Sequence, residues 1–147
     1  MTPGRLDLAV VRRHLLALDE AEQILRSHQG RSLEELISDP EERWIVEHGL
    51  QLCAQNALDV ATHLAASTGR DVPDYAGAID RLAEMGILSH DFAARFRGIA
   101  GFRNVLVQGY LDVDVARLHR LLNEHLDDFS AFALHVRAYL GLPDSGS

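Results

Sequence analysis

Between Gly101 and Asp114 the chain reads GFRNVLVQGYLDVD, and four of its side chains could do chemistry: Arg103, Asn104, Gln108 and Tyr110. Arginine offers a planar, permanently charged fork that suits a phosphate. An amide donates and accepts hydrogen bonds but does not titrate near neutral pH. Gln108 is therefore conspicuous, because acid–base chemistry at that place calls for a titrating group. On a helix Arg103 and Tyr110, seven apart, lie on nearly the same face, whereas Gln108, five from Arg103, lies roughly 140° around the axis. The three share one site only if the helix loosens before Gly109 or if a second copy of the chain completes the site. The alternative is that Arg103 pairs with an acidic residue of a neighbouring helix and Tyr110 caps the core.

Little else in the sequence offers chemistry. Eight histidines are scattered, with no His-Glu-x-x-His and no cysteine at zinc spacing, so no metal site is expected. There is no phosphate-binding loop, no paired-glycine dinucleotide fingerprint and no nucleophile elbow, and no cofactor is expected. Cys53 is the single cysteine; it rules out an internal disulfide and, lying in the apolar run LQLCAQNALDVATHL, reads as a small core residue. The net charge is −8, which argues against broad nucleic-acid binding. The balance reverses locally: Arg95, Arg97 and Arg103 face only Asp91 between Ser89 and Tyr110, so a small positive site can sit on an acidic body. Glu47, Asn56 and Asp59 are further polar positions on the second long helix, and Arg95 and Arg97 precede the stretch. No apolar run is long enough for a membrane span and no signal peptide is evident, so a cytoplasmic location is expected.

The elements that must position these residues read as helices. Leu8, Val11, Leu15, Leu18 and Leu25 recur at helical spacing over about Leu6 to Ser27, with Gly30 as the stop. Ser32 with Glu35 fits a capping box on a short turn. Asp39 caps a second long helix with Pro40 in its first turn, running to about Thr68 before Gly69. Its Ile45, Leu52 and Leu64, together with Ala54, Ala57, Ala61 and Ala65, suggest close helix–helix packing. Tyr75 to Met85 forms a shorter helix stopped by Gly86. Ser89 caps another that continues into the motif, and a last helix runs from near Asp114 to Leu140. No stretch alternates with period two for long enough to predict a strand. The expected fold is one all-α domain spanning 1–147, an up-and-down helical bundle with its core at about 6–140 and a frayed tail at 141–147.

The stretch FRNVLVQGYLDVD resembles the signature of the HepT toxins of the HEPN superfamily, whose pattern is Arg-x4-His-x-Tyr, commonly RNVLVHGY. The likeness extends over about Leu6 to Leu140. SLEELISDPEERWIVEHGLQLCAQNALDVATHLAASTG is similar to the family's second long helix and its acidic, proline-containing approach, and GILSHDFAARFRGIAGFRN to the approach to the motif. The resemblance implies a helical bundle that forms a homodimer, two motifs meeting in one cleft, and a metal-independent endoribonuclease. It also implies a partner, an MNT-type nucleotidyltransferase antitoxin that adds AMP to the motif tyrosine and so blocks cleavage of RNA. Arg103 matches the motif arginine, Asn104 the polar residue after it, and Tyr110 the modified tyrosine; with RNA as the implied substrate, Arg95 and Arg97 are candidate RNA contacts, and Glu47, Asn56 and Asp59 could line the cleft. Gln108 departs from the pattern, which has histidine there. Histidine can take the proton from a ribose 2′-hydroxyl and protonate a leaving oxygen near neutral pH, whereas glutamine can only hydrogen-bond. The glutamine fits either an engineered or selected inactive form or a natural member with altered activity. Three functions are open: an impaired toxin-type ribonuclease, a non-catalytic dimer that binds RNA, nucleotide or the antitoxin, and a plain structural bundle.

Overall fold

The computed structural model describes residues 6–69, 72–108 and 114–143. Every regular element among them is an α-helix: α1 (Leu8–Arg26), α2 (Leu33–Ser38), α3 (Pro40–Ala66), α4 (Tyr75–Glu84), α5 (His90–Phe96), α6 (Ile99–Gln108), α7 (Val115–Glu124) and α8 (Leu126–Leu140).

Local chemistry sets most of the starts. Ser32 and Glu35 form the reciprocal capping box, Asp39 accepts from the Glu42 N–H with Pro40 just inside the helix, and Ser89 accepts from the Phe92 N–H. Each side chain satisfies a backbone donor that the first turn of a helix leaves unpaired. Gly86 ends the α4 segment at φ +79°, a conformation that favours glycine.

Cross-helix contacts give the directions of the long helices. The Asp7 N–H donates to His63 Nε2 at 2.9 Å, His14 Nδ1 pairs with Asn56 Oδ1 at 2.9 Å, and His28 Nδ1 meets Glu42 Oε1 at 2.6 Å. Residue numbers rise on one side as they fall on the other, so α1 and α3 are antiparallel. By the same logic α8 runs antiparallel to α1, through Arg26–Asp127 and Arg137–Asp19, and to α5, through Phe92–His135, Phe96–Phe132 and Phe96–Phe129. α7 lies over the turn after α1, where Gln29 donates to the Leu122 carbonyl and the Gly30 N–H to Asn123.

The core lies between α3 and these partners. Ala54, Ala57, Ala61 and Ala65 are wholly buried, as expected for close packing, and so is Cys53. A Cβ on Gly49 would lie 2.5 Å from Leu25 Cδ2, so glycine is what allows α1 its closest approach there. Phe102, Phe129 and Phe132 are among the largest fully buried side chains.

Three expectations change. The helix from Ser89 does not continue into the motif: Arg97 caps α5, and α6 restarts at Ile99 after Gly98. Glycine costs a helix interior roughly 1 kcal/mol, so a break there costs little. The last helix divides at His125, whose φ of −123° and ψ of 4° leave the helical range. The jog lets α7 pack on α2 and α3 while α8 turns onto α1. Ile45 and Leu52 are not core residues: they are 38% and 39% exposed, because the buried stripe of α3 runs through Val46, Leu50 and Cys53 instead. Leu8 is likewise exposed at the start of α1.

Arg137 is buried, and its guanidinium grips Asp19 with both terminal nitrogens, at 3.3 and 2.6 Å. Removing one partner of a buried ion pair leaves an uncompensated charge. Asp19→Ala should therefore cost about 3 kcal/mol, read as a lower midpoint in urea at unchanged slope, whereas removing the exposed Arg97–Asp80 pair by Asp80→Ala should cost under about 1 kcal/mol.

Candidate functional site

Arg103 lies on α6 where that helix meets α3 and the start of α4. Its Nε donates to Gln55 Oε1 on α3 at 2.6 Å, and its Nη1 donates to Asn104 Oδ1 at 3.1 Å. The guanidinium carbon is 5.0 Å from the ring centroid of Tyr75, the first residue of α4. Gln55 in turn donates from Nε2 to Asp59 Oδ1 at 2.9 Å and to the Tyr75 hydroxyl at 3.4 Å. Gln55 and Asp59 stand four apart on α3 and so share a face, the geometry in which Gln–Asp pairs form on helices. Asp74 caps α4 through the Gly77 N–H and so sets where Tyr75 stands.

The arrangement differs from an ordinary salt bridge. The hydrogen-bond partners of Arg103 among the described residues are two neutral amides, and its face rests on an aromatic ring, a favourable cation–π contact. The alternative pairing with an acidic residue of a neighbouring helix is not seen among the described residues: Asp59 reaches Arg103 only through Gln55, which stands between the two. Beside this cluster a hollow of about 530 Å³ is lined by Thr62, Asp74, Tyr75, Gly101 and Asn104. The buried Oγ1 of Thr62 has no hydrogen-bond partner among the described residues. Arg103 does not itself line the hollow but contacts two residues that do, Asn104 and Tyr75; a planar cation so placed can hold a phosphate and stabilise charge developing on it.

Other sequence candidates fall elsewhere. Arg95 donates to Asp128 at 3.2 Å and lies over the Phe92 ring. Arg97 grips Asp80 through Nε and Nη2. Both are about half exposed, and each is paired with a carboxylate of another helix. Asn56 turns to His14 on α1 rather than towards Arg103. Glu47 is half-buried on α3, where burial pushes its carboxyl above the usual range and Arg43 opposes the shift. Of these three α3 positions, Asp59 alone joins the cluster. The backbone of Gln108 is the last residue of α6; its side chain and the whole of Tyr110 lie outside the described residues. Sequence inspection missed Gln55 and Tyr75. The Gln55–Asp59 spacing was the available signal for the first, and an aromatic directly after the Asp74 cap for the second.

Burial pushes the Cys53 thiol up, which suits a packing role. No three His, Cys, Asp or Glu side chains among the described residues are grouped to hold a metal ion, and no helix among them is long and apolar enough to cross a membrane.

Comparison with known proteins identifies relatives of the chain and of its fold. The Ribonuclease HepT-like family matches residues 17–136. A tRNA nuclease HepT of Aphanizomenon flos-aquae (strain 2012/KM1/D3) is 26% identical over 118 residues, covering 79% of this chain and 80% of that protein. Among solved structures, a tri-AMPylated Shewanella oneidensis HEPN toxin in complex with MNT antitoxin superposes with a TM-score of 0.77 at 18% identity, over 88% of this chain and 97% of that one. The cytosolic protein of unknown function YutE from Bacillus subtilis superposes with a TM-score of 0.79 at 18% identity, over 92% and 91%. The helical bundle therefore shares the fold of these solved structures, and the chain, matched over most of its length, belongs to the Ribonuclease HepT-like family.

Proposed function

We propose that this chain is the toxin component of a toxin–antitoxin pair, an endoribonuclease of the Arg-x4-His-x-Tyr type whose rate is reduced because Gln108 occupies the histidine position. The observation that carries this is the setting of Arg103, a permanently charged fork held by two amides and resting on Tyr75, with Asn104 and Tyr75 lining the adjacent hollow. In the proposed reaction the ribose 2′-oxygen attacks the adjacent phosphorus as its proton passes to water. The bond to the 5′-oxygen breaks and that oxygen takes a proton from water, leaving a 2′,3′-cyclic phosphate and a 5′-hydroxyl, and Arg103 stabilises the charge on the phosphorane. Asn104 orients the fork. Gln108 can hydrogen-bond to the reacting groups but cannot take up the 2′-proton, and loss of one acid–base group lowers rate by about 10²–10⁴-fold. Arg95 and Arg97 guide the strand, exchanging Asp128 and Asp80 for phosphates, at small cost for the exposed Arg97–Asp80 pair. Two copies form a homodimer whose motifs share one cleft. No metal or cofactor enters the step. An MNT-type nucleotidyltransferase is the partner, adding AMP to Tyr110, and the pair works in the cytoplasm.

A second function, a helical dimer that binds RNA, nucleotide or the nucleotidyltransferase without chemistry, is favoured by Gln108 itself and by the net charge of −8.

The Gln108→His variant separates the two. It should cleave RNA at least about 100-fold faster than the unsubstituted chain and slow the growth of its host. Its rate should fall as pH drops through the ordinary histidine range near about 6.5, because the base form of the imidazole is lost there; the Gln108 protein should lack that limb. A Gln108→His protein that neither cleaves RNA nor slows growth would exclude the enzyme and leave the binding dimer. For the modification, mass spectrometry after co-expression with the nucleotidyltransferase should find an adenylyl group on Tyr110, and an unmodified Tyr110 under those conditions rejects it.

A further inference from the structure

The cluster around Arg103 contains one residue whose chemistry nothing else replaces. Asp59 can only accept hydrogen bonds when ionised, and Arg103 can only donate them. A side chain bridging them must therefore present a donor at one end and an acceptor at the other. Gln55 does so, with Nε2 on Asp59 at 2.9 Å and Oε1 on Arg103 Nε at 2.6 Å. Its amide cannot flip without setting an N–H against the guanidinium and an oxygen against the carboxylate. Tyr75 reinforces the same placement twice, through its hydroxyl on Gln55 and its ring under Arg103.

The consequence is electrostatic as well as geometric. A glutamate at this point would pair with Arg103 directly and satisfy its charge, whereas an amide fixes the guanidinium and leaves the charge available. With Nε held by Gln55 and Nη1 by Asn104, Nη2 carries no hydrogen bond among the described residues.

We propose that Gln55 is a positioning residue for Arg103: its amide, oriented by Asp59, clamps the guanidinium edge against Tyr75 while keeping the arginine un-neutralised for an RNA phosphate. This rests on the function proposed above, in which Arg103 meets phosphate.

Two variants test it. Gln55→Leu removes the clamp at similar volume, and Gln55→Glu keeps an acceptor on Nε but adds a charge beside Asp59. In the Gln108→His protein, Gln55→Leu should lower kcat by roughly 10- to 100-fold, the scale of a misplaced catalytic group, with KM nearly unchanged. Gln55→Glu should raise KM as well, since the carboxylate competes with phosphate. The second readout needs no catalysis. In the chain with Gln108 retained, the Arg103 Nε–H signal in a nitrogen–proton NMR spectrum, assigned by its loss in Arg103→Lys, should be protected from exchange and should shift on adding an RNA blocked by 2′-methoxy groups. Protection should vanish in Gln55→Leu and persist in Gln55→Glu, while the shift on adding RNA should weaken in Gln55→Glu. The positioning role is overturned if Gln55→Leu keeps both the protected signal and kcat, or if Gln55→Glu cleaves and binds as the parent does. Should Gln55→Leu fail to fold, the Gln55→Glu outcomes decide alone. Arg103→Ala in the Gln108→His protein is the separate control: undiminished cleavage there overturns the site itself, whatever Gln55 does.

Discussion

One helix carries both the core and the candidate site, and the rest of the molecule is arranged by that constraint. α3 spans 27 residues, from Pro40 to Ala66. It sets Gly49 against Leu25 of α1 and offers α6 and α4 a short polar ladder, Gln55 and Asp59. A helix surrounded on most sides has few places for polar groups, because each must find a partner before it is buried. The ladder meets that requirement by pairing with itself and then with Arg103 across the seam. The site thus follows from satisfying polar groups beside the buried stripe of α3, and the same bonds that satisfy them hold the arginine.

Charge is handled differently at the seam and elsewhere. Arg26, Arg81, Arg95, Arg97 and Arg137 are each within ion-pair distance of a carboxylate. Arg103 sits on an acidic chain and is instead held by amides. An exposed pair contributes little to stability and an incoming anion can displace it, whereas an arginine already held by neutral groups needs no displacement at all. That contrast singles out Arg103 from the other arginines of the α5–α6 region, which sequence composition alone treats alike.

Much of the fold was legible because it depends on neighbours along the chain. Capping by Ser32, Asp39 and Ser89 needs only residues two or three positions away, and the glycine stops need only a backbone conformation. The breaks at Gly98 and His125 were not legible. Both segments keep a helical apolar pattern through the break; the chain leaves the helix at Gly98, where glycine lowers the cost of a break, and at His125, where α7 and α8 pack on different partners. Ile45 and Leu52 were misplaced for a related reason: on a helix with neighbours on several sides, apolar spacing does not say which stripe is innermost.

By itself the sequence determined the helical class, the starts and stops of most helices, and the motif with glutamine at position 108, since each is a matter of residue type and short spacing. The tertiary structure alone decided that Asp59 belongs with Arg103 while Asn56 does not, that Gln55 stands between the two charges, and that Tyr75 lies beneath the guanidinium. Gln55 and Arg103 are 48 positions apart. No local rule couples residues at that separation, and only the packing of α6 and α4 onto α3 brings donor, acceptor and ring within reach of one another.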